Sequence, residues 1–161
     1  MAASEEVKAL ARDFSEFYTM MLSNIARKLF EHLGKEEGKK ILSEGLREFG
    51  KERGRMIREK ADAAGCPPGL EGFIKFYKVP TSAAGKATHN VTGNRRVSQI
   101  ECAASFFWKK RGEEEIGLLY CDSVDDGMRE GFDPRLKHTN PKNPLRGDDT
   151  CEHHDFFDFE S

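Results

Sequence analysis

The side chains best suited to chemistry gather in the last quarter of the sequence. One group is Cys121-Asp122-Ser123-Val124-Asp125-Asp126, and the other runs from Gly147-Asp148-Asp149 through Cys151-Glu152-His153-His154-Asp155. On a helix, Cys121 and Asp125 stand four apart and face the same way. On a strand, Cys151, His153 and Asp155 share one face at about 7 Å intervals while Glu152 and His154 take the other. Three readings stand side by side. A thiolate nucleophile needs a base or a cation to lower its pKa, and His153 next to Cys151 supplies one if the side chains bend together. A metal needs three or four ligands at fixed distances, and Cys102, Cys121, Cys151, His89 and His153 are the candidates, with zinc the natural ion; no close CxxC or HxxxH pair marks the site. Taken singly, each cysteine is a small buried hydrophobe and each Asp or His a loop or surface group. Gly147-Asp148-Asp149 has the composition of a tight turn, with Asp148 or Asp149 an acid or base if that loop closes on a pocket. His89 reads as an exposed polar residue, and Cys66, before two prolines, as a linker thiol.

These residues must be held by elements that the spacing of apolar side chains predicts. Ser4 is a candidate N-cap for a first helix, with Glu5 and Glu6 in the first turn and Val7, Ala11, Phe14, Tyr18, Met21, Ile25 and Leu29 as its apolar stripe. Gly34 is the natural stop. A second helix is predicted from Glu36 to Ala64, with Ile41, Leu42, Leu46, Phe49 and Ile57 on one side, closed by Gly65 and Pro67-Pro68. Gly50 and Gly54 lie one turn apart; because glycine costs roughly 1 kcal/mol inside a helix, they predict close approach by a neighbouring backbone, of this chain or of another subunit. After a short amphipathic piece over Leu70–Val79, Lys86–Val91 and Arg95–Cys102 flank the turn sequence Thr92-Gly93-Asn94 as a β-hairpin. Its second arm puts Ser98, Ile100 and Cys102 on one face. Residues 103–131 return to helix with a break near Gly112, Asp133-Pro134 ends it, and strands are predicted over Arg135–Asn140 and Cys151–Phe159, the last closing the core with Phe156, Phe157 and Phe159. The fold class is α+β: a long N-terminal helical hairpin and shorter helices packed on a small antiparallel β-sheet. We expect a single domain over 1–161, with the hairpin in 4–65 and an α+β ligand-binding part in 70–159.

Composition narrows the function. Val, Ile, Leu and Phe make up 34 of 161 residues, about a fifth, which predicts a small, phenylalanine-rich core. Residues 121–161 carry 5 basic and 11 acidic groups, against 21 and 17 before them. An acidic, His-containing end repels phosphate backbones, so nucleic acid is not expected as a partner. No apolar run spans a membrane and no signal segment opens the chain, so a soluble, cytoplasmic protein with four free thiols is expected.

The order of several short motifs resembles the L-2-amino-thiazoline-4-carboxylic acid hydrolase family: Phe49-Gly50 with Gly54, Cys102 ending a strand, Leu119-Tyr120-Cys121 followed by Asp125, Gly131-Phe132-Asp133-Pro134, and Gly147-Asp148-x-x-Cys151. The resemblance covers roughly residues 10–158. The closing Gly-Asp-x-x-Cys pattern is also distantly similar to four-vinyl-reductase-type small-molecule-binding domains, some of which bind zinc through cysteines. The family resemblance implies hydrolysis of a cyclic amidine, L-2-amino-thiazoline-4-carboxylate, to N-carbamoyl-L-cysteine. It assigns Asp125 and Asp148 as acid-base candidates and Cys121 and Cys151 as nucleophile or metal-ligand candidates. His153 stands where the pattern usually has an apolar inward residue, and completes the catalytic set. A non-catalytic binding or sensing domain, with or without zinc, is the alternative. No cofactor is required; a small-molecule ligand and a homodimer are the expected partners.

Overall fold

The computed structural model describes residues 4–77 and 86–158. Helix α1 runs Glu5–Leu33 and starts where Ser4 Oγ accepts a hydrogen bond from Val7 N at 3.3 Å. Gly34, at φ +80°, breaks the chain for one residue before α2, Lys35–Ala63. Then come α3 (Leu70–Phe76), strands β1 (Ala87–Thr92) and β2 (Arg95–Ile100), helices α4 (Ala103–Arg111) and α5 (Glu114–Phe132), strand β3 (Leu136–Lys142), a 3₁₀ turn at Pro144–Arg146 and strand β4 (Cys151–Phe157). The sheet is antiparallel with order β1-β2-β4-β3. The α+β architecture, its hairpin and its small antiparallel sheet are as the sequence predicts. Val79, the expected end of the amphipathic piece, and Phe159, the expected end of the last strand, lie outside the described residues.

Helices α2 and α5 cross at four glycines. A methyl group on Gly50 would lie 2.6 Å from Val124 O, and one on Gly54 would lie 2.6 Å from Phe132 N and closer still to Met128 O. In return Gly127 and Gly131 press on the backbone of Arg47 and Lys51. Two i,i+4 glycine pairs thus face each other, and the neighbour that Gly50 and Gly54 predict is α5 of the same chain. Ion pairs from Arg47 and Lys51 to Glu130 rim the crossing. Beside it lies the main core, in which Leu42, Leu46 and Ile57 of α2 meet Val124, Met128 and Phe132 of α5, with Phe73, Leu136 and Phe157. A smaller cluster joins Ala104, Trp108 and Leu145 to Tyr18, Tyr120, Cys102 and Cys121.

Two sequence expectations need correcting. On α1 the buried side chains are small, Ala11, Ser15, Thr19, Ser23 and Ala26. Val7, Phe14, Met21 and Ile25 of the predicted stripe are about half exposed. Periodicity finds an apolar stripe but not the face a neighbour covers: of that stripe Ala11 is buried and Tyr18 and Leu29 pack against the core, while the rest turns outward. On α2, Ile41 and Phe49 likewise face outward. The core is therefore poorer in phenylalanine than composition suggests: Phe73, Phe132 and Phe157 are buried, whereas Phe14, Phe17, Phe49 and Phe106 are exposed.

The crossing gives a paired test. Gly54→Ala forces a methyl group into the α5 backbone and is expected to cost about 2–3 kcal/mol of stability. Gly45→Ala on the same helix meets nothing within 4 Å and is expected to stabilise by roughly 0.5–1 kcal/mol through helix propensity. Chemical denaturation of the two variants measures both signs.

Candidate active site

Strand β4 alternates strictly between buried and half-buried residues, and its inward row is Cys151, His153, Asp155 and Phe157. Neighbouring strands add Arg96 and Ser98 from β2, and His138 from β3 opposite Asp155. Helix α5 adds Asp125 and, one turn on, Arg129.

Asp155 is the centre of this arrangement. Its Oδ1 accepts from Arg129 Nε at 2.8 Å and from His138 Nδ1 at 3.0 Å, while its Oδ2 accepts from Arg96 Nε at 2.8 Å and also from Arg96 Nη2. Burial alone would raise its pKa; the charge of Arg129, the His138 hydrogen bond and the charge of Arg96 outweigh it and hold the carboxyl far below the ordinary range. Both guanidinium groups also lie over aromatic faces. Arg96 and Arg129 each sit 5.2–5.4 Å from the ring centres of Phe73 and Tyr77. Arg129 Nη1 continues to Asp125 Oδ1 at 2.7 Å. Two buried cations are thereby balanced by two carboxylates.

The tautomers of the imidazoles follow from these partners. A carboxylate only accepts, so His138 carries its hydrogen on Nδ1 and turns the Nε2 lone pair toward His153. His153 Nδ1 lies 3.4 Å from that Nε2, with the two rings stacked at 5.1 Å, and donates to it. His153 Nε2 is then free to accept from the Cys151 thiol, whose Sγ lies 3.1 Å away. The result is a chain of four groups, Cys151–His153–His138–Asp155, in which each residue fixes the proton of the one before. Burial pushes the Cys151 thiol up to about 12 and the His153 imidazole down to about 4, so the resting pair is a neutral thiol beside a neutral imidazole. Asp125 Oδ2 stands 3.9 Å from His153 Nδ1. Burial would raise the Asp125 carboxyl, but Arg129 and the two imidazoles hold it low, so it is ready to stabilise positive charge on His153. The Asp125 and His153 side chains are 16% and 10% exposed, which leaves this side of the group in contact with solvent.

The structure joins three of the five residues named as catalytic candidates, Asp125, Cys151 and His153. Cys121 lies beside the group in the Trp108 cluster, where burial, with Asp125 and the other cysteines adding to it, raises its thiol well above the ordinary range. Asp148 sits apart: its Oδ2 accepts from Asn143 N at 2.7 Å and closes the turn before β4. For a cation, the donors of Asp125, His138 and His153 lie within 4.8 Å of one another. Among the described residues no such group includes Cys102, Cys121 or Cys151, and His89 instead contacts Ser98 Oγ at 2.9 Å. All four cysteines are free thiols. Sequence reading missed Arg96, Arg129 and His138. The signals were present: alternation puts Arg96 on the face predicted to hold Ser98, Arg129 follows Asp125 by four, and His138 lies on a predicted strand.

Fold and site together define an α+β protein that holds a thiol–imidazole pair between a helix and a sheet. A family model, L-2-amino-thiazoline-4-carboxylic acid hydrolase, matches residues 14–154, and the chain belongs to that family. No curated protein matches the chain. Among solved structures, a trafficking protein particle complex subunit 3 from Naegleria fowleri, covalently bound to palmitic acid, is similar with a TM-score of 0.54 and 19% sequence identity, covering 89% of this chain and 95% of that chain. That likeness is one of fold. Among the described residues, no helix is long and apolar enough to cross a membrane.

Two outcomes follow from the buried charges. Asp155→Asn leaves two buried guanidinium groups facing one amide and is expected to cost about 3–5 kcal/mol. His153 is neutral when folded but takes a proton near pH 6.5 when unfolded. Its contribution is fully present above about pH 6.5 and is lost as pH falls toward 4, a change on the order of 2–3 kcal/mol. Denaturation midpoints measured from pH 7 to pH 4 should fall for the natural chain and fall less for His153→Asn.

Proposed function

We propose that the chain hydrolyses a small cyclic amidine bearing a carboxylate, as the family's name describes, and that Cys151 and His153 carry the reaction. The observation that supports this reading is the 3.1 Å contact between Cys151 Sγ and His153 Nε2, backed by His138 and Asp155. In the first step Cys151 Sγ bonds to the amidine carbon between nitrogen and sulfur while its proton passes to His153 Nε2. The bond from that carbon to the ring sulfur breaks, and the leaving thiolate takes the proton from His153. Water then adds to the same carbon with His153 as base. Cys151 departs as thiolate and recovers a proton, releasing the N-carbamoyl amino acid with its new thiol. One water is consumed and one ring carbon–sulfur bond is broken. Asp125 stabilises the transient imidazolium, and His138 with Asp155 keeps the ring in the working tautomer. Arg129 Nη2, buried without a hydrogen-bond partner, is the donor we assign to the substrate carboxylate. Cys121 and Asp148 take no step in this scheme. The free thiols fit a reducing compartment, and we place the activity in the cytoplasm.

A second reading, a non-catalytic small-molecule-binding or sensing domain with zinc, is favoured by the donors of Asp125, His138 and His153. Turnover of L-2-amino-thiazoline-4-carboxylate, followed by the thiol it releases, separates the two. Cys151→Ala and His153→Asn are expected to lose at least about 10²-fold in rate while keeping the circular dichroism of the natural chain, and mass spectrometry of the quenched reaction should show an adduct on Cys151. Full turnover by Cys151→Ala would sink the thiol mechanism. Stoichiometric zinc in the metal-loaded protein, lost in His138→Asn and with no turnover, would establish the second reading.

A further inference from the structure

Helix α1 carries apolar side chains on two faces, with Tyr18, Leu22, Leu29 and Phe30 packed on the core. Its small residues Ala11, Ser15, Thr19, Ser23 and Ala26 face the core, while Val7, Leu10, Phe14, Phe17 and Met21 face away from it, each 47–69% exposed. These five recur at steps of three, four, three and four residues, a seven-residue repeat that keeps one seam on one side over two full heptads. A seam of that period fits another helix of the same period rather than a small ligand or an extended peptide.

We infer that this seam is a homodimer interface in which α1 of two copies of the chain pair antiparallel. Three observations select a second copy and this direction. The seam is self-complementary in the antiparallel sense, because each position of one heptad class meets the other class: Phe14 stands opposite the partner's Phe17, and Leu10 opposite the partner's Met21. Charge agrees with it. Antiparallel pairing keeps the two acidic first turns, each with Glu5 and Glu6, at opposite ends of the pair, whereas parallel pairing sets them together. The area is sufficient. The exposed parts of the seam, with Met20 and Ile25 at its margin, amount to roughly 600 Å² per protomer, or roughly 1,200 Å² for the pair, within the range of specific interfaces.

Sedimentation equilibrium tests the dimer, and cross-linking tests its direction. The natural chain at micromolar concentration should have twice the 18.2 kDa chain mass, and Phe17→Glu should sediment as a monomer with unchanged helicity. Under oxidation, the double variant Leu10→Cys/Met21→Cys should give a dimer band, because the two positions lie three turns apart within one helix but adjacent across the pair. Neither single variant nor the natural chain should do so. A monomeric natural chain, or a Phe17→Glu variant that remains dimeric, overturns the interface. Cross-linking by either single variant overturns its direction. If Phe17→Glu does not fold, the cross-linking pattern alone decides the interface: no dimer band from the double variant overturns it.

Discussion

A carboxylate with almost no exposure to solvent lies at the centre of this protein, and the structure is arranged so that it is never left alone. Asp155 on β4 takes hydrogen bonds from Arg96 on β2, His138 on β3 and Arg129 on α5, so four elements share one anion. Removing charges from water is costly, and attraction compensates only where every donor and acceptor is placed. That condition fixes the depth of β4 between its neighbours and the height of α5 above the sheet. It also fixes the chemistry, because the hydrogen on His138 sits on Nδ1 for the sake of Asp155, and each proton out to Cys151 follows.

The position of α5 has a second determinant on its other side. Four glycines let α2 and α5 touch backbone to backbone, and the short interaxial distance brings Asp125 and Arg129 within reach of the strands. The helix hairpin acts as a mould for the site although none of its own side chains enters it. The two halves of the chain are linked mechanically in this way, and the main core runs through both without a seam.

Much of this was legible in the sequence. Ser4, Gly34, Gly112 and Asp133 mark helix ends because capping is a local matter, and all four do so in the structure. The alternation of Cys151, His153 and Asp155 was readable because a strand's period is two. What sequence could not supply was partnership. An arginine on a strand or a helix looks like a solvated cation until a carboxylate from a neighbouring strand is seen beside it, so Arg96 on β2 and Arg129 on α5 passed unnoticed. The stripe on α1 misled for a related reason: an apolar face is drawn to whatever covers it, and here the chain's own fold covers the opposite face. Asp148 shows the converse, since an acid in a suggestive motif is engaged in closing a turn.

The sheet's outer edge on β3 carries a further consequence. Pro141 interrupts the strand where its register with β4 shifts between Thr139 and Lys142, and Lys137 and Lys142 flank it. Proline offers no N–H to an incoming strand, an irregular register spoils the ladder, and lysine resists desolvation. This edge is therefore closed to strand addition, and the fold is protected there against the sheet-to-sheet growth that leads to fibrils.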